Sequence, residues 1–190
     1  VDEVARHLLG CHVVAGNVRI RLTEVEAYGG ADDPASHAWR GRTPRTATMF
    51  GPAGNAYVYF TYGMHHCLNV VTGPEGEAAA VLLRAGEVVA GEDVVTARRP
   101  RSVRRDLARG PARLCVALGV DRSYDGTDLL AGSERLRLEP ADDTPDPQNV
   151  LSGPRVGVTR AADVPWRFWL AADPTVSTYR PAAPRRPTTR

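Results

Sequence analysis

The sequence predicts one α+β domain. Extended and helical patterns are mixed without strict alternation, which favours α+β over α/β. No internal repeat and no separating linker occurs, and 190 residues is the size of one domain of roughly 100–200 residues. Hydrophobic content of 43% and charged content of 24% are ordinary for a globular chain. A chain this long buries roughly 70% of its unfolded surface, so it needs neither disulfides nor a structural metal.

Residues 2–9 read as a short helix, with Asp2 as N-cap and Gly10 as stop. CHVV, a Gly16-Asn17 turn and VRIRLTEVEAY form a hairpin, because two extended runs flank a two-residue turn. Residues 28–48 hold Gly, Pro, Ser, Thr and Arg with little periodicity and read as a long ordered loop. NAYVYFTY and HHCLNVV make a second hairpin around Gly63-Met64, GPEGE closes it, and AAAVLLRAGEVV continues as a buried strand. Helical patterns follow at 91–98, 103–108 and in PARLCVALG, with Pro111 in the first turn and Gly119 as C-cap. RLRLEP, RVGV and WRFWLA are three further short strands, and 140–154 is a polar loop. The domain spans 1–178; the Pro/Arg-rich 179–190 is expected to be a flexible tail.

Several function classes lose support. No run of eighteen apolar residues exists, so a membrane helix is not expected, and VDEVARHLLG lacks an apolar signal core. Cys11, Cys67 and Cys115 are odd in number, widely spaced and form no CxxC, which suits a reducing compartment. Gly-x-Ser-x-Gly, P-loop and dinucleotide fingerprints are missing. All 24 basic residues are arginine. Codon preference explains the bias, yet no lysine Schiff base can form, and arginine suits phosphate and bases.

Two anomalies point to chemistry. Val18, Ile20 and Leu22 share a strand face, and a period of two puts Glu24 and Glu26 on it as well. Carboxylates on an apolar face are paired, hydrated or used; the ordinary alternative is a strand end turned to solvent. Second, Thr46 to Pro74 contains no charged residue other than its two histidines, yet holds five of the twelve aromatics. Such a stripe is usually core, but Tyr62 stands at the proposed hairpin tip, where an aromatic suits a wedge between stacked bases. His65, His66 and Cys67 are consecutive on a strand and point to alternate faces, which argues against a metal. The seven arginines of 98–113 are either a solvated face or a phosphate contact.

TEVEAYGGADDPASH, RTPR, MFGPAGNAYVYFTYGMHHCLNVV, VLLRA, GPARLCVALGV and RVGV together resemble the alkyladenine (3-methyladenine) DNA glycosylase family, in order from about Val4 to Ser177. The resemblance implies a compact α+β fold with a mostly antiparallel curved sheet, flanking helices and a hairpin that enters the DNA minor groove. It places Glu26 as the water-activating carboxylate, Arg84 as the water-positioning arginine and the Val156 carbonyl as a third water contact. Tyr28, His37 and Tyr59 fall on base-sandwiching positions, Asn69 on the purine screen, and Met64 is grouped with the pocket. Tyr62 falls on the intercalating wedge, and Arg42, Thr43 and Arg45 on the DNA backbone; Glu24 reads as structural. A residue fewer between His37 and Met49, one more before Arg84, and a different, lysine-free surface are the departures.

The implied activity is monofunctional excision of 3-methyladenine, 7-methylguanine, hypoxanthine or ethenoadenine from double-stranded DNA. It implies no cofactor, no metal and no membrane, and a monomer at the nucleoid of a bacterial-type cytoplasm. A catalytically silent damaged-DNA-binding module is one alternative; a glycosidase of free nucleosides is another. The Glu26/Arg84 pair argues against the first, and the aromatic hairpin against the second.

Overall fold

A computed structural model describes residues 1–182. Its order is α1 (Asp2–Leu8), β1 (His12–Ala15), β2 (Val18–Gly29), β3 (Ala56–Thr61), β4 (His65–Val71), β5 (Ala79–Ala90), α2 (Glu92–Arg98), α3 (Pro111–Leu118), β6 (Arg137–Glu139), β7 (Val150–Gly153) and β8 (Arg167–Leu170). The strands form one antiparallel, curled half-barrel sheet in the order β3-β4-β5-β2-β1-β6. β2 is long enough to serve two neighbours on one edge: its first half pairs with β1, and Glu24–Glu26 pair with β8, which in turn holds β7. The domain is therefore α+β, as the mixed patterning predicts.

Alternation splits the sheet into two faces. Val58, Leu68, Val70, Val81 and Leu83 join the main core, where α3 packs on β4 and β5, and α1 on β2. Their neighbours Tyr57, Val71 and Ala80 join Ala38 and Met49 in a smaller cluster on the opposite face.

One feature of β2 departs from the period of two. The β2–β5 register steps from Leu22↔Gly86 to Glu24↔Ala85 and then to Val25↔Leu83. Thr23 is thus an extra residue on β2, and Arg84 an extra residue on β5. Each bulge reverses the alternation of its strand. Val25 and Ala27 follow Val18, Ile20 and Leu22 into the core, while Glu24 and Glu26 face the other side. The simple alternation that puts both carboxylates on the apolar face is corrected by this pair of bulges. Gly86 is required here, since a Cβ would lie 2.4 Å from Ile20 Cγ2 and 2.5 Å from the Arg21 carbonyl.

Local expectations are corrected at three places. Asp2 is the first residue of α1 rather than its cap, and its charge lies in the first turn. Arg155–Val158 is a turn, not a strand, because its backbone and side chains serve other partners described below. The strand is β7, inside the stretch read as a polar loop, paired with β8. Of the expected tail, Tyr179 and Arg180 make contacts: Gly157 N–H donates to the Arg180 carbonyl at 3.1 Å, and Arg167 lies 5.9 Å from the Tyr179 ring centre. Residues 183–190 lie outside the described residues.

Candidate active site

Glu26 is fully buried, and it accepts three hydrogen bonds. Tyr28 Oη donates to Oε2 at 2.8 Å, Arg84 to Oε2 at 3.3 Å, and the Val156 N–H to Oε1 at 2.6 Å. A carboxylate offers about four acceptor positions, so one on Oε1 stays available for a further donor. Desolvation and the Glu26 charge push the Tyr28 phenol well above its ordinary value, so it stays a donor.

Glu24 is fully buried too, and anchors the opposite end of Arg84. Its Oε1 accepts from Arg84 Nε at 2.9 Å, Arg167 Nε at 2.7 Å and Ser177 Oγ at 2.9 Å; Oε2 accepts from Ser177 N–H at 2.6 Å. Burial alone would raise the Glu24 carboxyl, but Arg84, Arg167 and the Ser177 N–H hold it below the usual range. Burial works against the Arg84 charge as well; Glu26 and Glu24 outweigh it and raise the guanidinium further. Arg84 thus bridges two carboxylates one strand period apart, which its bulge position permits.

These groups meet a cleft of about 630 Å³. Tyr28, His37, Tyr59, Asn69, Arg84 and Val156 all line it. The His37 and Tyr59 rings pack edge to face at 4.6 Å, and Asn69 Nδ2 donates to the Tyr57 carbonyl at 2.9 Å. Desolvation by the packed tyrosines, and then the Arg45 charge, pulls the His37 imidazole down to about 4, so the ring is neutral at pH 7. The result is an aromatic slot with a neutral imidazole, an amide and Arg84 in its walls, and the Glu26 carboxylate behind them, held by the wall residues Tyr28, Arg84 and Val156. The slot's aromatic lining suits the faces of a flat heterocycle.

The sequence profile of the methylpurine-DNA glycosylase (MPG) family matches residues 1–174. A relative from Frankia casuarinae, provisionally named a 3-methyladenine DNA glycosylase, is 56% identical over 196 residues, covering 98% of this chain and 91% of its own length. Relatives with the same name from Nocardia farcinica and Mycobacterium tuberculosis are 56% and 47% identical, covering 96% and 95% of this chain and 88% and 91% of theirs. The chain belongs to the methylpurine-DNA glycosylase family. Membership makes it a DNA glycosylase, a hydrolase of N-glycosyl bonds whose partner is DNA. No helix among the described residues is long and apolar enough to cross a membrane.

In this family member the remaining site positions scatter over the rim. β3 and β4 pair around residues 62–64, and Met64 N–H donates to the Thr61 carbonyl at 3.2 Å. Tyr62 at φ 51° and Gly63 at φ 67° are both left-handed, so the turn is of the primed kind that fits hairpin twist. Tyr62 is 87% exposed. Met64, 67% exposed, shares this tip and does not line the cleft, contrary to its grouping with the pocket. Arg45 lies 5.5 Å from the Tyr59 ring centre, whereas Thr43 locks its own turn through Thr46, and Arg42 is exposed beside it.

Four partners escape a reading of the residues alone. Arg155 is buried and forms a two-pronged pair with Asp33, at 2.5 and 2.9 Å, while lying 4.8 Å from the Tyr28 ring centre. Ser177 and Arg167 complete Glu24. Asp33 and Arg155 are 122 positions apart, and no local pattern announces a contact of that range.

Proposed function

We propose that this chain extrudes alkylated or deaminated purines from duplex DNA and cleaves their N-glycosidic bond with a water activated by Glu26. 3-Methyladenine and 7-methylguanine are the leading substrates, with hypoxanthine and ethenoadenine beside them. The observation that carries this reading is the placement of Glu26: buried, bridged by Arg84 to Glu24, and hydrogen-bonded to Tyr28, Arg84 and Val156 in the wall of an aromatic cleft.

In this mechanism the flipped base enters between Tyr28, His37 and Tyr59, and Asn69 screens its edge. The water donates to Glu26 and is held by Arg84. The Val156 N–H is already engaged by Glu26, so its carbonyl is the group left to accept from the water. As the bond to the base breaks, positive charge grows on the sugar, and Glu26 both stabilises it and takes the proton of the attacking water. The oxygen becomes the sugar hydroxyl of an abasic site. An N3- or N7-alkylated purine is already cationic and leaves as a neutral base; neutral lesions require protonation of the leaving group.

Release of base from a lesion-bearing duplex, compared with hydrolysis of the free nucleoside, tests the reading. Excision from duplex alone supports it; binding without excision indicates a silent module, and equal turnover of nucleoside a nucleosidase. The abasic site is left intact, because the chain has no lysine to form an imine. Borohydride trapping of a protein–DNA adduct at any position other than the N-terminal amine contradicts this.

Tyr62 is assigned the wedge. Its exposure removes the core explanation, and a bulky residue in the left-handed region costs on the order of 1–3 kcal/mol, which a site retains for use. Tyr62→Ala is expected to lower the flipped fraction, read by 2-aminopurine fluorescence, without lowering the melting temperature. Tyr62→Phe is expected to be nearly neutral, because stacking needs the ring. A large stability loss in Tyr62→Ala, with normal flipping by the folded fraction, ends this assignment.

A further inference from the structure

The mouth of the cleft carries a cluster that the proposed chemistry does not use. Trp39, in the loop after β2, has the Arg160 guanidinium 4.5 Å and the Arg40 guanidinium 5.7 Å from its ring centre. Arg160 comes from the loop that also carries Val156, so the stack joins two loops at the cleft, and all three residues line it. Both arginines are exposed, and among the described residues neither forms an ion pair.

A guanidinium seated on an aromatic ring is held by its face while its N–H donors remain at its edge, and little rotamer freedom is left to lose on binding. An exposed cation pair without carboxylates, fixed beside a slot for a base, complements the negative groups attached to that base. When a nucleotide turns its base into the slot, its sugar and flanking phosphates stay at the mouth.

We propose that Trp39, Arg40 and Arg160 form a clamp for the phosphodiester groups flanking the extruded nucleotide. The proposal rests on the duplex-binding reading above. It also sets these two arginines apart from five of the seven in the 98–113 cluster. In the 98–113 cluster, Arg98 donates to the Ala117 carbonyl, Arg99 to Ser102, Arg104 pairs with Glu92, and Arg109 and Arg113 with Asp106. Those side chains are committed within the fold, whereas the two on Trp39 face solvent with their donors unspent.

Fluorescence anisotropy with a labelled duplex carrying one tetrahydrofuran abasic analogue, titrated at several NaCl concentrations, tests the clamp. Each lost phosphate contact flattens the plot of log binding constant against log salt by about 0.9. Arg160→Ala is expected to flatten it by that amount, and Arg40→Ala/Arg160→Ala by about twice as much. Trp39→Ala keeps both charges but loses their seat, so affinity falls with the slope preserved, and Trp39→Phe recovers most of the affinity. Arg104→Ala, in the committed group through Glu92, leaves slope and affinity as in the wild type. An unchanged slope in the double variant, or an equal flattening in Arg104→Ala, overturns the clamp. Single-turnover release of ethenoadenine or 3-methyladenine by the wild type reads the glycosylase proposal separately: release with an unchanged slope sinks only the clamp.

Discussion

Glu26→Gln lowers single-turnover excision by about 10²–10⁴-fold while lesion-duplex binding persists. The amide keeps the shape of the side chain and loses its basicity. It also presents an N–H₂ where an oxygen accepted from Tyr28 and Arg84, or from Val156. The Tyr28 hydroxyl can turn and accept, but the Arg84 guanidinium and the Val156 N–H cannot, so some stability is lost as well. Thermal melting of the variant therefore accompanies the kinetic measurement, and the rate is read on folded, DNA-saturated enzyme. A rate within about threefold of the wild type would remove Glu26 from the role of base.

Asp33→Ala should be the most damaging single change to stability outside the carboxylate pair. It leaves the Arg155 guanidinium, 1% exposed, with only the carbonyls of Ala27 and Ala161 as partners. Breaking a buried ion pair from one side costs about 3–5 kcal/mol, because the remaining charge is left uncompensated. At about 2–4 °C per kcal/mol for a chain of this size, the melting temperature falls by about 6–20 °C. Tyr28 rests near the same guanidinium, so its grip on Glu26 loosens in the surviving folded fraction. A shift under about 3 °C would show that water or a rearrangement compensates Arg155.

The fold class, both hairpins and α3 are legible in the sequence because their signals are local: alternation, turn residues, Pro111 and Gly119. The resemblance supplies the cleft residues, and the structure does bring Glu26, Arg84, Val156, Tyr28, His37, Tyr59 and Asn69 together. What alternation misreads is Glu24 and Glu26, since a bulge reverses parity without any mark in the letters around Thr23. β7 is invisible for another reason: VLSG is only four residues long and ends in Ser and Gly, and its pairing with β8 is what makes it a strand. Arg155, Ser177 and Trp39 act through partners far along the chain or through stacking, for which spacing offers no signal.

The cap on Glu24 also sets an order of events at the ribosome. Its partner Ser177 lies 153 positions later, which at roughly 5–20 residues per second separates their synthesis by about 8–30 s. Arg84 follows Glu24 by 60 positions, and the pair then waits for Arg167 and Ser177 to close its network. A nascent chain that already holds the β3–β4 hairpin thus has an unfinished carboxylate–arginine network. The buried network is therefore completed in one late step, when β8 docks beside β2 and the segment carrying Ser177 closes on Glu24.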